Sequence, residues 1–168
     1  MLQYLTGDAT LPPGDGPKII THCCNDTGAW GSGFVVPLGQ RWPRAKESYL
    51  EWFKEKPAFN SDYVEVSGPS TLGNTQLVLV GPKLWVANLI GQHKVGIGPD
   101  NRPPIRYDAI QEGLKKVCRW ALIHQASVHM PRMGAGLAGG RWDAIEKLVK
   151  AELILKSVNV FVYTLPRD

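Results

Sequence analysis

Two glycine-rich segments of this sequence are suited to binding a phosphorylated ligand. The first runs from His22 to Val35, and the second runs from Met130 to Gly140. Each follows an apolar run that predicts a buried strand and precedes a segment that can begin a helix. Each can therefore direct unpaired backbone N–H groups and the positive end of a helix at an anion. Two such loops in one small domain indicate a ligand that carries a diphosphate.

Polar side chains beside these segments could orient or activate such a ligand. The Asn25 amide can donate one hydrogen bond to a ligand hydroxyl and accept another, although an Asx turn would also use it. His93 follows an apolar run, and an imidazole can act as an acid or a base near neutral pH. Lys94 comes next in the chain, where a solvated ammonium group would attract phosphate.

The remaining histidines and the cysteines predict structural roles. His22, His124 and His129 lie on or beside apolar segments without a partner at metal-ligand spacing, so we expect no metal site. Cys23 and Cys24 are adjacent and lack the two-residue spacer of zinc and redox motifs. We therefore expect reduced thiols, and nothing in the sequence implies a cofactor.

The elements that must position the loops alternate between strands and helices. Strands are predicted at 2–5, 18–23, 63–66, 76–80, 84–90, 127–131 and 158–165, and helices at 33–40, from Pro43 onward, 107–125 and 142–153. This order favours an α/β fold whose helices cover a largely parallel or mixed sheet. Ligands of such sheets bind beyond the carboxyl ends of the strands, where both glycine loops would lie. The segment 91–104 is rich in glycine and proline and could act as a lid.

Length and composition limit the class of protein. The 168 residues, 43% hydrophobic and 20% charged, predict one soluble globular domain over 1–168. No apolar run approaches a membrane span and no secretory signal is apparent, so we expect a cytoplasmic monomer without a membrane partner. The net charge of +4 is compatible with an acidic ligand or a nucleic acid, but the basic residues are scattered along the chain.

Four motifs in a characteristic order resemble those of the macrodomain family, whose fold recognises ADP-ribose. They are Tyr4-Leu5-Thr6-Gly7-Asp8-Ala9, the loop from Asn25 to Val35, the loop from Arg132 to Gly136 and the terminal Val160-Phe161-Val162-Tyr163-Thr164-Leu165. They span nearly the whole chain, and within the superfamily the likeness is greatest to the branch containing the terminal ADP-ribose protein glycohydrolase. The resemblance implies a three-layer α/β/α sandwich with a mixed central sheet.

The resemblance also implies which residues bind the ligand. Asp8 would accept a hydrogen bond from the adenine amine and the Ala9 N–H would meet a ring nitrogen, although Asp8 could equally cap a turn. The glycine loops would enclose the pyrophosphate and the distal ribose. The full expected set is Asp8, Ala9, Asn25, Trp30, Gly31, Ser32, Gly33, Phe34, Val35, Met133, Gly134, Ala135, Gly136, Leu137, Ala138, Tyr163 and Leu165.

The catalytic positions depart from this branch of the family. The resemblance to the glycohydrolases implies a lysine after the central strand and an aspartate in the second loop. At these positions this chain has Gln92 or His93, and Ala138. A glutamine cannot form the covalent intermediate that a lysine can. The candidate catalytic residues are Asn25, Gln92 and His93, and a displaced Lys94 is a further option. The preferred route is attack by a positioned water that a substrate phosphate polarises.

The expected function is binding of ADP-ribose and its removal from modified proteins, with an ester to an acidic side chain as the favoured linkage. The first alternative is a module that reads ADP-ribose without cleaving it. The second is a hydrolase of ADP-ribosylated nucleic acid. The expected partners are thus ADP-ribose or an ADP-ribosylated protein, with a nucleic-acid conjugate as the other option.

Overall fold

The computed structural model describes residues 1–99, 101–136 and 138–166. Over these residues the chain alternates strands and helices, close to the predicted order. The elements are β1 (Leu2–Thr6), β2 (Lys18–Asn25), α1 (Val35–Arg41), α2 (Pro43–Trp52), β3 (Val64–Val66), β4 (Thr75–Gly81), β5 (Leu84–Gln92), α3 (Tyr107–His124), β6 (Ser127–Pro131), α4 (Trp142–Glu152), a 3-10 turn at Ile154–Lys156 and β7 (Val160–Thr164).

The strands form one mixed sheet in the order β1-β7-β6-β2-β5-β4-β3. Neighbours from β1 to β5 pair in parallel, whereas β4 is antiparallel to both β5 and β3. The parallel strands therefore end at the same edge of the sheet. Because the segments that follow them emerge there, this edge gathers the two glycine loops.

The two faces of the sheet bury separate apolar layers. Ile20 of β2 packs with Leu38 of α1 and Ala45 of α2. Its neighbour Ile19 points to the opposite face and packs with Leu114 of α3 and other side chains of α3 and α4. The fold is thus the three-layer α/β/α sandwich with a mixed central sheet that the sequence predicts. No helix in the described part of the chain is long and apolar enough to cross a bilayer.

The observed boundaries differ from the predicted ones by at most two residues: α1 and β7 begin two residues later, and β2 and β5 end two residues later. Both strands run two residues beyond their predicted ends, to Asn25 and Gln92. Their parallel pairing continues through an irregularity after Cys24 that places Asn25 beside Gln92. Two residues expected on separate loops therefore lie side by side at the end of the sheet.

Candidate functional site

A cleft of about 450 Å³ opens at the carboxyl edge of the sheet, between the loops that follow β2 and β6. Most of the expected binding residues line it, together with the catalytic candidate Gln92. They are Asn25, Gly31, Ser32, Gly33, Phe34, Val35, Gln92, Met133, Gly134, Gly136 and Ala138. The two glycine loops therefore face each other across one space.

The side chain of Asn25 organises the first glycine loop. Its Oδ1 accepts hydrogen bonds from the Thr27 N–H at 2.9 Å, the Thr27 hydroxyl at 2.8 Å and the Ala29 N–H at 3.1 Å. Its Nδ2 donates to the Ala29 carbonyl at 2.8 Å. The Tyr49 hydroxyl lies 2.7 Å from the Asn25 backbone oxygen and 3.0 Å from Oδ1. Asn25 thus forms the Asx turn that the sequence allows, and one amide N–H is left over for a ligand.

Beyond this turn, the loop leaves backbone donors available. No hydrogen bond within the described residues uses the N–H of Gly31, Ser32 or Gly33. Gly33 has a φ of 83°, a left-handed conformation that favours glycine. A side chain added at Gly31 would meet no heavy atom within 4 Å. An anion can therefore approach this backbone closely.

The second glycine loop is shaped by packing. Gly134 has a φ of 76°, and a Cβ there would lie 2.7 Å from Cδ1 of Ile105. Gly140 donates its N–H to the Gly134 carbonyl at 2.8 Å, which closes the loop on itself. The N–H groups of Gly134 and Gly136 make no hydrogen bond to the described residues. Arg132 lines the cleft, and its guanidinium group lies 5.4 Å from the centre of the Tyr4 ring, outside the lining.

Asp26 connects the first loop to the segment after β5. One carboxylate oxygen lies 2.7 Å from Nδ1 of His93, and the other accepts the Lys94 N–H at 2.7 Å. The Asp26 N–H in turn donates to the Gln92 carbonyl at 3.0 Å. His93 and Lys94 do not line the cleft in this structure, whereas Gln92 does. The Asp26 carboxylate therefore orients His93 at the rim of the cleft.

The suspected lid is anchored at its base. His93 donates its N–H to the Pro104 carbonyl at 2.8 Å, and Gln92 pairs with Ile105 in a short antiparallel bridge. Val95 lines the cleft although 61% of its surface is exposed. The described part of 91–104 thus borders the cleft, and its closure over a ligand stays a prediction.

The floor of the cleft contains His22, Cys23 and Cys24 of β2. His22 lies 2.5 Å through Nε2 from Oδ1 of Asn88, and burial lowers its pKa to about 4, so the ring is neutral at pH 7. Burial also raises the pKa of Cys23 to about 12 and that of Cys24 above its usual range. These thiols are free and protonated, which makes them poor nucleophiles.

The expected adenine contacts lie outside this cleft. The Asp8 carboxylate accepts hydrogen bonds from the N–H and hydroxyl of Thr10 at 2.9 Å and 2.7 Å. Its second oxygen lies 3.8 Å from the Arg41 guanidinium group. The turn-capping role of Asp8 is therefore present, and the adenine contacts of Asp8 and Ala9 stay predictions.

The other expected site residues have different surroundings. Trp30 packs against Tyr49 and His22, with ring centres 5.2 Å and 5.5 Å away. Tyr163 lies 2.7 Å through its hydroxyl from Nδ1 of His129, in a smaller cavity of about 200 Å³. Ala135 is half-buried but not in the cleft lining, Leu165 is 66% exposed, and Leu137 lies outside the described residues.

Seven residues that line the cleft were not predicted individually as ligand contacts. They are His22, Cys23, Cys24, Ala29, Val95, Pro131 and Arg132. Arg132 had a usable signal, because it is a basic residue at the start of the second glycine motif. His22 and the cysteines gave none, because an apolar strand pattern is typical of the core as well as of a cleft floor.

The cleft is chemically suited to an anion. Its described lining contains Arg132 but no carboxylate and no lysine. Within the described part of the chain, no group of three His, Cys, Asp or Glu side chains is arranged to hold a metal ion. The unused N–H groups of both loops are the donors available to a phosphate, and Arg132 adds a positive charge beside them.

Comparisons with curated proteins find relatives over nearly the whole chain, although no family model matches it. The chain is 29% identical over 174 residues to Chromodomain-helicase-DNA-binding protein 1-like of Danio rerio, covering 96% of this chain but 15% of that protein. It is 24% identical to ADP-ribose 1″-phosphate phosphatase of Meyerozyma guilliermondii, covering 96% and 98% of the two chains. It is also 24% identical to DNA ADP-ribosyl glycohydrolase of Thermus aquaticus, covering 97% of this chain and 41% of that protein.

Solved structures match at higher identity. A protein of unknown function from Bacteroides thetaiotaomicron is 47% identical, with a TM-score of 0.87 and 97% of each chain covered. A macrodomain protein from Streptomyces coelicolor is 40% identical, with a TM-score of 0.80 over 98% of this chain and 99% of the other. Sequence and fold therefore agree over nearly the whole of each of these chains.

Proposed function

Because the chain belongs to the macrodomain family, we propose that it binds ADP-ribose in the cleft and hydrolyses a bond at the distal ribose. The observation that carries this proposal is the pair of glycine loops facing each other across one cleft, with unused N–H groups on both sides. A pyrophosphate between them would receive hydrogen bonds from both loops and from Arg132. The names of two relatives, a phosphatase and a glycohydrolase that act on ADP-ribosyl groups, support the same chemistry.

The shape of the cleft supports one orientation of the ligand. Asn25 and Gln92 lie side by side at the ends of β2 and β5, so the distal ribose would lie over them. Adenine would extend toward Asp8 and Ala9 beyond β1. In this orientation Asn25 has two roles, because its amide holds the loop and its remaining N–H faces the ribose hydroxyls.

Water is the nucleophile that fits this lining. Gln92 is no nucleophile, Cys23 and Cys24 are protonated thiols, and no described residue of the lining supplies a carboxylate or a lysine. Water would form a bond to the anomeric carbon while the bond to the modified group breaks and its electron pair leaves with that group. The proton of the water would pass to a substrate phosphate, as in the water route expected from the sequence.

A non-catalytic reader is the second candidate. It is favoured by Gln92 and Ala138, because both line the cleft. The resemblance to the glycohydrolases implies a lysine and an aspartate at these two positions. Such a protein would bind ADP-ribose through the same loops and release nothing.

The finer expectations stay predictions. They are an ester to an acidic protein side chain as the favoured linkage, a nucleic-acid conjugate as the alternative, a single domain over 1–168, a monomeric state and a cytoplasmic location. The first of these is the one that turnover assays can decide directly.

The deciding experiment is an ADP-ribose titration by calorimetry, followed in the same preparation by release assays. The substrates are a peptide with ADP-ribose on glutamate, a peptide with ADP-ribose on serine, an ADP-ribosylated oligonucleotide and ADP-ribose 1″-phosphate. We expect saturable binding and release from at least one linkage. Binding without any release would favour the reader, and absence of binding would overturn the ligand assignment.

Arg132→Gln and Arg119→Gln make a matched pair for that titration. Arg132 lines the cleft, whereas Arg119 is exposed on α3 away from it. Both variants lose one positive charge, so a general effect of charge would weaken both. We expect only Arg132→Gln to weaken ADP-ribose binding.

A further inference from the structure

The turn that follows β1 contains a chain of hydrogen bonds that runs from Arg41 through Thr10 to Asp8. The Arg41 Nε–H donates to the Thr10 hydroxyl oxygen at 3.1 Å. The Thr10 hydroxyl and backbone N–H lie 2.7 and 2.9 Å from Oδ1 of Asp8. Thr10 is only 1% exposed, so its hydroxyl has little access to solvent and depends on these two partners.

The Thr10 hydroxyl has one proton, and Arg41 determines where this proton points. A guanidinium group donates hydrogen bonds and accepts none. The hydroxyl therefore accepts from Arg41 and donates to Oδ1 of Asp8. Because the Thr10 backbone N–H donates to the same oxygen, two donors hold the Asp8 carboxylate in one orientation.

The second oxygen of Asp8 is available to a ligand. Its Oδ2 lies 3.8 Å from the Arg41 guanidinium group, which is too far for a hydrogen bond. The Asp8 side chain is 44% exposed, so a ligand can reach this oxygen. No hydrogen bond within the described residues uses the neighbouring Ala9 N–H. The turn therefore presents a free acceptor next to an unpaired donor.

Helix α1 connects this turn to the first glycine loop. It has seven residues, beginning at Val35, which lines the cleft, and ending at Arg41. Trp42, the next residue, donates its indole N–H to the Thr10 carbonyl at 2.7 Å. Seven residues of α-helix are about 10 Å long. One short helix thus fixes the position of the Asp8 turn relative to the loop that we expect to bind the pyrophosphate.

An acceptor next to a donor matches adenine and opposes hypoxanthine. Adenine presents an amino group as the donor and the neighbouring ring nitrogen N1 as the acceptor. Hypoxanthine reverses this pattern, because it has a keto oxygen in place of the amino group and a proton on N1. Bound in the same place, its oxygen would face Oδ2 of Asp8 and its N1–H would face the Ala9 N–H. A site rejects a ligand that leaves its polar groups unpaired in this way.

We propose that Arg41 and Thr10 are positioning residues that make this protein select adenine over hypoxanthine and guanine, because they fix Asp8 as an acceptor toward the base. This inference rests on the proposed function, which places adenine beside Asp8 and Ala9. Arg41 and Thr10 act through Asp8 and do not contact the base themselves. In the competing explanation these hydrogen bonds only attach the turn to α1, and their loss would weaken binding of every base equally.

The test compares, by calorimetry, the binding of ADP-ribose with that of its hypoxanthine analogue, inosine diphosphate ribose. The two ligands have the same charge, riboses and pyrophosphate, so the ratio of their dissociation constants depends on the base alone. We expect the original protein to bind ADP-ribose about 30-fold more tightly, a factor typical of a correctly paired base edge.

Thr10 and Arg41 each allow a matched pair of variants. Thr10→Val removes the hydroxyl and keeps the shape of the side chain, whereas Thr10→Ser keeps the hydroxyl. Arg41→Met removes one positive charge from the chain, and Arg119→Met removes one from an exposed position on α3. We expect Thr10→Val and Arg41→Met to lower the ratio about fivefold, the effect of one lost hydrogen bond. Thr10→Ser and Arg119→Met should keep the ratio of the original protein.

Asp8→Asn tests the direction of the hydrogen bonds. The new amide would turn its oxygen toward the two Thr10 donors and would direct its NH₂ group toward the base. An NH₂ group can donate to the keto oxygen of hypoxanthine. We therefore expect this variant to bind inosine diphosphate ribose about fivefold more tightly than the original protein does.

Four results would overturn this inference. They are equal binding of the two ligands by the original protein, an unchanged ratio in Thr10→Val or Arg41→Met, equal changes in Arg41→Met and Arg119→Met, and no tighter binding of inosine diphosphate ribose by Asp8→Asn. With ADP-ribose still bound by the original protein, each of them leaves the proposed function intact. If the original protein does not bind ADP-ribose, the proposed function itself is wrong.

Discussion

The two glycine loops face the same cleft but are held in shape by different forces. The first depends on one polar side chain, because the Asn25 amide bonds to Thr27 and Ala29 and receives the Tyr49 hydroxyl. The second depends on glycine conformation and apolar packing, in which Gly134 fits against Ile105 and Ile145. Similar half-sites can thus be built from hydrogen bonds or from packing, and each should fail in its own way.

The largest effect is expected from Gly134→Ala in the second loop. The new Cβ would lie 2.7 Å from Cδ1 of Ile105 and 3.0 Å from Cδ1 of Ile145, at a φ of 76°. Strain in the left-handed region and overpacking should together lower the free energy of unfolding by about 3 kcal/mol. Urea denaturation measures this change.

The double variant Gly134→Ala/Ile105→Val separates the two causes. Valine lacks the Cδ1 atom that the new methyl group would overlap, so part of the loss should be recovered. If the double variant is no more stable than the sum of the two single changes predicts, packing against Ile105 does not shape the second loop.

The next largest effect is expected from Asn25→Ala in the first loop. This change removes a buried amide and leaves the Thr27 and Ala29 donors without their acceptor. The free energy of unfolding should fall by about 2 kcal/mol, and ADP-ribose affinity should fall with it. Denaturation and calorimetry on the same sample measure both quantities.

Asn25→Asp is the partner variant, because it keeps the acceptor oxygen for Thr27 and Ala29 but replaces the donor to the Ala29 carbonyl with a second acceptor and adds a negative charge. It should lose less stability than Asn25→Ala. An Asn25→Ala protein as stable as the original but unable to bind ADP-ribose would instead make Asn25 a ligand contact with no structural role.

The sequence predicts the fold well because the apolar periodicity of the strands and helices is strong. It identifies the strand Ser127–Pro131 at its observed limits and most other elements to within two residues. The ends of β2 and β5 were missed because polar Asn25 and Gln92 are typical of loops. Only tertiary pairing between these strands extends them.

Within the site, residues close together in sequence were easier to predict than residues brought together by folding. The glycines of each loop were found because each motif is contiguous. The contact between Asp26 and His93 joins a residue that follows β2 to one that follows β5. The spacing of these residues in the sequence does not indicate that they meet.

Gly31→Ala and Gly136→Ala, one in each loop, should have smaller effects that are similar to each other in stability and in ADP-ribose affinity. A Cβ at either position meets no heavy atom within 4 Å, so stability should change by less than about 0.5 kcal/mol. Both methyl groups would project near the cleft, and each should weaken ADP-ribose binding about tenfold by obstructing the approach of the pyrophosphate.

These two variants compare the loops as ligand contacts, independently of what holds them in shape. Equal losses of affinity would mean that the pyrophosphate lies against both loops. A loss with Gly31→Ala alone would assign the pyrophosphate to the first loop and leave the second as a wall.

The last effect concerns the strands beneath the loops, each of which buries a neutral histidine. Burial lowers the pKa of His22 and of His129 from 6.5 to about 4, and Lys18 contributes to the shift of His129. The unfolded chain then binds more protons than the folded one below pH 6.5. The stability that each neutral ring contributes is complete above pH 6.5 and is lost as the pH falls toward 4.

Urea denaturation at pH 7.5 and 5.5 tests this dependence in a range where most carboxylates stay ionised. Each histidine should account for a loss of about 1 kcal/mol between these values. His22→Gln and His129→Gln should each remove about half of the combined loss. If His129→Gln keeps all of it, the strand beneath the second loop is not a source of the pH dependence. In that case only His22, on the strand beneath the first loop, would contribute to the pH dependence. The two loops would then differ in this respect as well as in the forces that shape them.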